Sequence, residues 1–348
     1  MHNLEVHKIP VFFILGKSRS GTTLLQTMLD AHPNAIVPVE SIFLLYLKKK
    51  YFNIKIWDDK RINQFINDLY KERKFCYFWN VNREKLSTEL KSLPKKNISY
   101  SEICKHIYLN YSSVFTKEEI VIIGDKNPVY PFFIADILAV FPDAKFIHLI
   151  RDYKDVIVSS REVLANRSVA RFAYEWKYVN EEIEKAKNNN PTSFYTLKYE
   201  NLVYDSEFYL KEICNFLSLP YSAKMLDFYE RPASAYYNLS HKNTLYPIND
   251  KNINKWKKKL SEKEILTADL IAGKLGKKYD YKKNKIKINV FLSIRFLGAI
   301  ISQKAEIFIF KWYQKMPIGF KNFKANFAQK FHILSYHSQA EDRFKKEK

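Results

Sequence analysis

An α/β architecture, with a central, mainly parallel sheet and helices on both faces, follows from three observations on this chain of 348 residues. Short apolar runs alternate with stretches of helical spacing. Three of those runs end in a turn bearing Lys or Arg, and the carboxyl ends of strands are where open α/β sheets bind ligands. A hydrophobic content of 47% suffices for one large core or two smaller ones.

The first run, Pro10 to Leu15, predicts a buried strand over 10–16, and Leu24, Leu25, Met28 and Leu29 then repeat at helical spacing within 21–31. Asn34 to Val39 reads as a short connection. Helices are expected around 41–50, 59–74 and 99–116, which makes roughly 41–118 a helical insertion that walls a cleft. A strand over 120–124 leads to a helix over 129–140, and a strand over 145–150 leads to helices over 153–165 and 168–188. A strand over 193–199 and a helix over 205–218 complete the alternation. Residues 1–280 read as the main domain and 281–348 as a basic, aromatic-rich helical extension.

The first strand enters Gly16-Lys17-Ser18-Arg19-Ser20-Gly21-Thr22-Thr23 before the helix begins. In a strand, glycine-bounded loop and helix, backbone N–H groups and the positive end of the helix dipole converge on one point, which suits a phosphate or sulfate ester. Lys17, Ser18, Arg19, Ser20, Thr22 and Thr23 add cationic and hydroxyl donors there. The spacing of Gly16 and Gly21 is that of a nucleoside-triphosphate loop, which implies a P-loop-type three-layer fold. Thr22, however, stands where such a loop carries its terminal-phosphate lysine. The cation sits inside the loop at Arg19, an arrangement suited to a 5′-phosphate and poorly suited to a magnesium triphosphate.

Two further strand ends carry cations. In Lys145 to Ser160, the run Phe146 to Ile150 ends in Arg151-Asp152, and Ser159 lies two turns into the following helix, so Arg151 and Ser159 suit a second phosphate. Gly124-Asp125-Lys126-Asn127-Pro128 follows the run Ile120 to Ile123. Plainer roles exist for each: a helix-start ion pair of Arg151 with Asp155, a turn lysine at 126, a helix serine at 159. Glu40 reads as a first-turn glutamate stabilised by a helix dipole, and His32, ahead of Pro33, as a helix cap.

Together these motifs resemble the sulfotransferase superfamily that uses 3′-phosphoadenosine 5′-phosphosulfate, in the branch of tyrosylprotein and bacterial carbohydrate sulfotransferases, over roughly residues 9 to 275. Arg19-Ser20-Gly21-Thr22-Thr23 is similar to the family's 5′-phosphosulfate loop, and Leu29-Asp30-Ala31-His32-Pro33 to its continuation. Arg151 and Ser159 are similar to the pair that binds the 3′-phosphate, and Lys126 to a lysine near the transferred group. Tyr199-Glu200-Asn201-Leu202 resembles the family's YE-x-L element, and Trp256 a tryptophan just past a cofactor-covering loop. Tyr246, ten positions before Trp256, stands where the tyrosylprotein branch has a cofactor-binding lysine, with Ser240, His241 and Lys242 as replacements. The branch's membrane anchor and disulfides have no counterpart in the sequence.

The resemblance reverses the plain reading of Glu40, seven residues past Pro33, and implies a general base with its pKa raised toward neutrality by Phe43, Leu44 and cofactor. It implies in-line transfer of a sulfuryl group from 3′-phosphoadenosine 5′-phosphosulfate to an acceptor hydroxyl, with 3′,5′-adenosine bisphosphate as product. Arg19 and Lys126 would stabilise the transition state. A carbohydrate or glycolipid acceptor is expected. Peptide tyrosine, a P-loop kinase and a non-catalytic nucleotide- or membrane-binding protein are the alternatives.

No cluster of His, Cys, Asp or Glu has ligand spacing, so no metal is expected. Three scattered cysteines (Cys76, Cys104, Cys214), the lack of an apolar signal core in MHNLEVHKIP and the lack of any run long enough to span a bilayer suggest a cytoplasmic protein. Its formal net charge is +21, and residues 251–348 carry 24 Lys/Arg against 8 Asp/Glu, a net +16. Aromatic residues interleave with those lysines, as in Phe308-Ile309-Phe310-Lys311-Trp312-Tyr313. Three roles fit: peripheral contact with an anionic membrane, a groove for a polyanionic acceptor, or a simply solvated surface. Nothing resembles a nucleic-acid-reading module, so nucleic acid is not expected as a partner.

Overall fold

A computed structural model describes residues 5–230, 244–283, 290–314 and 316. Its sheet comprises β1 Val11–Leu15, β2 Ala35–Ile36, β3 Ile122–Lys126, β4 Lys145–Ile150 and β5 Phe194–Lys198. The strand order is β2-β3-β1-β4-β5, and every pairing is parallel. Helices follow as α1 Thr22–Asp30, α2 Phe43–Tyr51, α3 Asp59–Leu69, α4 Arg73–Phe78, α5 Arg83–Ser92, α6 Tyr100–Leu109 and α7 Ile134–Val140. The second half of the chain adds α8 Tyr153–Arg161, α9 Val169–Asn189, α10 Tyr199–Tyr204, α11 Ser206–Leu217, α12 Trp256–Lys259, α13 Glu262–Lys278 and α14 Val290–Gln314.

All five residues of β1 are buried, because helices cover both sheet faces. Side-chain alternation then sends Val11, Phe13 and Leu15 into one apolar cluster and Phe12 and Ile14 into another. The first cluster extends into the insertion α2–α6, where Trp57, Trp79, Tyr100 and Tyr108 are fully enclosed. A third cluster joins α8, α9 and α13, and α14 lies along α9. The three cysteines are unpaired.

Several expected boundaries moved for local reasons. The connection 34–39 contains the two-residue edge strand β2, too short to show a period, whose Ala35 carbonyl accepts from Lys117 Nζ at 2.7 Å. The helix expected over 59–74 breaks after Leu69 because the Glu72 side chain accepts from the N–H groups of Lys74 and Phe75 and starts α4. The helix expected over 99–116 stops at Leu109, and α5 had no strong apolar repeat to announce it. In 129–140, a 3₁₀ turn over Tyr130–Phe132 containing Pro131 precedes α7.

Candidate functional site

The chain places β3 on one side of β1 and β4 on the other. In a parallel sheet, the crevice above such a reversal is where ligands bind, and the loop 16–23 follows β1 into it. Two left-handed residues shape that loop, Arg19 at φ +75° and Gly21 at φ +92°. Position 21 also excludes a side chain by contact, since a Cβ there would lie 2.4 Å from the Tyr199 ring. Close backbone approach and a positive φ both call for glycine.

A cavity of about 680 Å³ opens at the crevice. Lys17, Ser18, Arg19, Gly21, Thr22, Thr23, Glu40, Arg151, Ser159 and Tyr199 all line it. Ser20 and Lys126 are packed behind the wall, each 1% exposed. Residues from five separate stretches, the cradle, the segment bearing Glu40, the β3 and β4 ends and the start of α10, thus meet in one place.

Arg19 and Arg151, expected to meet two different phosphates, line the same cavity. Arg19 Nε donates to Ser159 Oγ at 3.0 Å, so the loop cation reaches the serine paired with Arg151 in the sequence reading. Arg151 donates from Nη1 to the Arg19 carbonyl at 2.9 Å and from Nη2 to the Asn252 carbonyl at 2.5 Å. Its guanidinium stacks 4.6 Å from the Tyr199 ring centroid, a cation–π contact. Asp155 serves as a clip rather than as a hydrogen-bonded helix-start partner: its carboxylate accepts from the N–H groups of Asn254 at 2.7 Å and Trp256 at 3.0 Å. Glu200 accepts from Asp152 N–H and from the Tyr281 hydroxyl, both at 3.0 Å. The Tyr-Glu pair therefore supports Arg151 with its ring and the β4 end with its carboxylate.

Glu40 departs most from expectation. It precedes α2 and lies outside its first turn, between two ammonium groups: Lys126 Nζ at 2.5 Å from Oε1 and Lys74 Nζ at 2.8 Å from Oε2. Burial pushes its pKa upward, but the two lysines outweigh burial and hold the carboxyl well below the usual carboxylate range. The expected rise toward neutrality is thus reversed by Lys126 together with Lys74, the latter a residue of the insertion with no motif around it. Lys126 is depressed by its own burial, with Glu40 pulling the other way, and its Nζ also lies 3.1 Å from Thr23 Oγ1. Beneath it, Asp125 accepts from the hydroxyls of Tyr108 and Tyr130 and from Lys126 N–H, and burial pushes its carboxyl up to about 7.

Lys17 faces the carboxylate of Glu175 at 3.3 Å, and Arg167 meets the same carboxylate at 3.8 Å. Glu175 and Arg167, both on the cavity wall, were not foreseen, since neither stands in a motif. His32 caps a turn instead of a helix: Nδ1 accepts from Asn34 N–H at 3.0 Å, and Nε2 lies 2.7 Å from the Pro220 carbonyl. Ser240, His241 and Lys242 lie outside the described residues, and Tyr246 is exposed. Among the described residues no cluster of side chains suits a metal ion.

These residues fit a phosphorylated nucleoside. Arg151 Nε, Ser20 Oγ and Ser160 Oγ are buried without a hydrogen-bond partner among the described residues, beside a loop that lines the cavity. Pro128, Val129, Val163, Leu164 and Phe172 supply apolar wall.

Known proteins resemble this chain in sequence and in fold. A protein-tyrosine sulfotransferase of Drosophila melanogaster is 24% identical over 264 residues, covering 72% of this chain and 47% of the fly protein. The chain thus spans about half the length of that relative. An omega-hydroxy-beta-dihydromenaquinone-9 sulfotransferase of Mycobacterium bovis is 25% identical over 250 residues, covering 60% of this chain and 63% of the mycobacterial one. Among solved structures, the sulfotransferase domain of the Synechococcus PCC 7002 olefin synthase superposes with a TM-score of 0.56 at 22% identity, over 78% of this chain and 95% of that domain, and so shares the fold. The profile of the Sulfotransferase family matches residues 10–223, well over half of the sequence, and the chain belongs to that family.

Proposed function

We propose that the protein transfers a sulfuryl group from 3′-phosphoadenosine 5′-phosphosulfate to an acceptor hydroxyl. One observation carries the reading: Arg19, Arg151 and Ser159 converge on a cavity at a glycine-bounded loop that has Thr22 in place of a triphosphate lysine. The donor supplies an activated sulfuryl group whose leaving group is a phosphate. Arg151, Ser159 and the Tyr199 ring are assigned to the nucleoside and its 3′-phosphate, and Lys17 to Thr23 to the 5′ end. Glu40 takes the proton of the acceptor hydroxyl as its oxygen bonds to sulfur. The S–O bond to phosphate breaks, and Arg19, Lys126 and the loop N–H groups meet the charge left on that phosphate.

A carboxylate held by two ammonium groups is a weak base. Lys126, already within reach of Thr23, would loosen its hold on Glu40 when drawn toward an anion in the cradle, and Glu40 would gain basicity as a result. Positioning and charge would then do most of the work, as in phosphoryl transfer.

The acceptor proposed is a carbohydrate or glycolipid hydroxyl. Peptide tyrosine is the second reading, favoured by the likeness to the fly protein-tyrosine sulfotransferase. Two measurements test the proposal. At 100 times its dissociation constant, 3′,5′-adenosine bisphosphate should add about 2.7 kcal/mol of stability and raise the thermal midpoint; stabilisation by magnesium ATP alone would point to a kinase. Labelled-sulfate transfer to a panel of glycans, glycolipids and tyrosine peptides should be strong for the wild type and lowered on the order of 100-fold or more in Glu40→Gln. Nucleotide binding without transfer to any acceptor would mark a binding protein.

A further inference from the structure

We propose that the outward face of α14 is a docking surface for an anionic lipid bilayer, with the helix lying in the plane of the interface. Leu297, Ile301, Phe308 and Trp312 stand at i, i+4, i+11 and i+15, one stripe of the helix, and are 53%, 56%, 72% and 53% exposed, with Ile309 beside them at 56%. A row of large apolar side chains this exposed, on a helix held firmly by its other face, marks an interaction surface.

The inward face is fixed by polar contacts to α9 and the turn before it. Arg171 Nε donates to Gln303 at 3.1 Å, Arg167 pairs with Glu306 at 3.2 Å, and Arg171 pairs with the same carboxylate. Lys311 reaches Glu182 and the Tyr178 hydroxyl, each at 2.8 Å. The exposed stripe is therefore the side the fold leaves over.

Charge identifies the occupant. Residues 281–330 hold eleven Lys/Arg and a single acid, Glu306, which is the residue turned inward onto Arg167 and Arg171. Exposed apolar side chains on a segment this basic, with its one acid turned inward, match the boundary of an anionic membrane, where aromatic rings enter the headgroup layer and lysines meet lipid phosphates. A purely polyanionic partner would have no use for Phe308 and Trp312. No helix among the described residues is long and apolar enough to cross a membrane, so the face is suited to lying on one.

Vesicle binding tests this independently of any transfer chemistry. The full chain should co-sediment with vesicles of mixed phosphatidylcholine and phosphatidylserine and far less with phosphatidylcholine alone, and salt should weaken the binding. Brominated acyl chains should quench tryptophan fluorescence in the wild type but much less in Trp312→Phe, because Trp57, Trp79 and Trp176 are buried and Trp256 is packed against the cluster of α8, α9 and α13. The double variant Phe308→Ser/Trp312→Ser should bind at least about tenfold more weakly with an unchanged thermal midpoint. Leu297→Gln/Ile301→Gln should do the same from the other end of the stripe. Equal binding to both vesicle types, no quenching of Trp312, or undiminished binding by both double variants would overturn the proposal. So would a dimer that dissociates in those variants without any vesicle binding, since the face would then belong to a second copy of the chain.

Discussion

Glu40 shows how far a residue's chemistry can depart from its sequence surroundings. Phe43 and Leu44 suggest a carboxyl raised by burial, yet Lys126 and Lys74 reverse the sign. With its carboxyl held low, Glu40 stays ionised throughout the neutral range. The pH profile of kcat/KM should therefore show no acidic limb from Glu40 between about pH 6 and 8; a limb near 7 that disappears in Glu40→Gln would mean that the free enzyme holds this carboxyl high after all. The Glu40–Lys126 pair also makes a stability prediction. Glu40→Gln takes the carboxylate from buried Lys126 and should cost on the order of 3 kcal/mol, whereas Lys126→Met leaves Glu40 paired with Lys74 and should cost less. The double variant should cost clearly less than their sum when measured by denaturant unfolding.

The strand–loop–helix from β1 to α1 was legible in the sequence because everything that defines it is local. An apolar run, two glycines and a helical repeat lie within some twenty consecutive residues. Gly21→Ala should impair it through both the positive φ and the clash with the Tyr199 ring. Nucleotide affinity should fall at least about tenfold by calorimetry. The clip over residues 252–256 was not legible. It depends on Arg151 meeting the Asn252 carbonyl and on Asp155 meeting the N–H groups of Asn254 and Trp256, about a hundred residues away. Asp155→Ala should leave those donors unmet, weaken nucleotide protection in a thermal-shift assay and increase proteolytic cutting between 244 and 256.

Across the whole molecule, buried carboxyls of opposite tendency set the pH dependence of stability. Burial pushes Asp125 and Asp152 up to about 7 from an ordinary 3.8. Between those values the unfolded chain has released protons that the folded one retains, so this contribution to stability falls as pH rises from about 4 to 7. Glu40, Asp68, Glu89 and Glu184 are held low by lysine, histidine and hydroxyl partners despite burial. Their contribution is present above the ordinary carboxylate range and is lost as pH falls through their lowered values. Buried His148, held down to about 4, works the other way over the same window. One imidazole offsets only part of the effect of two carboxyls, so the thermal midpoint should decline from mildly acidic buffer toward pH 7. Asp125→Asn should flatten the decline; an unchanged slope in that variant would remove Asp125 from the account.

The α/β alternation, the anion loop, the cations at three strand ends and the basic terminal quarter could all be read from the chain, because each is a pattern of neighbours along it. The edge strand β2, the break at Glu72, the convergence of Arg19 with Ser159 and the ammonium pair around Glu40 could not. Each depends on atoms brought together from distant segments by packing. Proximity along the backbone is fixed by covalent geometry, whereas the partners of a buried charge are chosen by which surfaces the folded core presses together, and a carboxylate's basicity follows the partners.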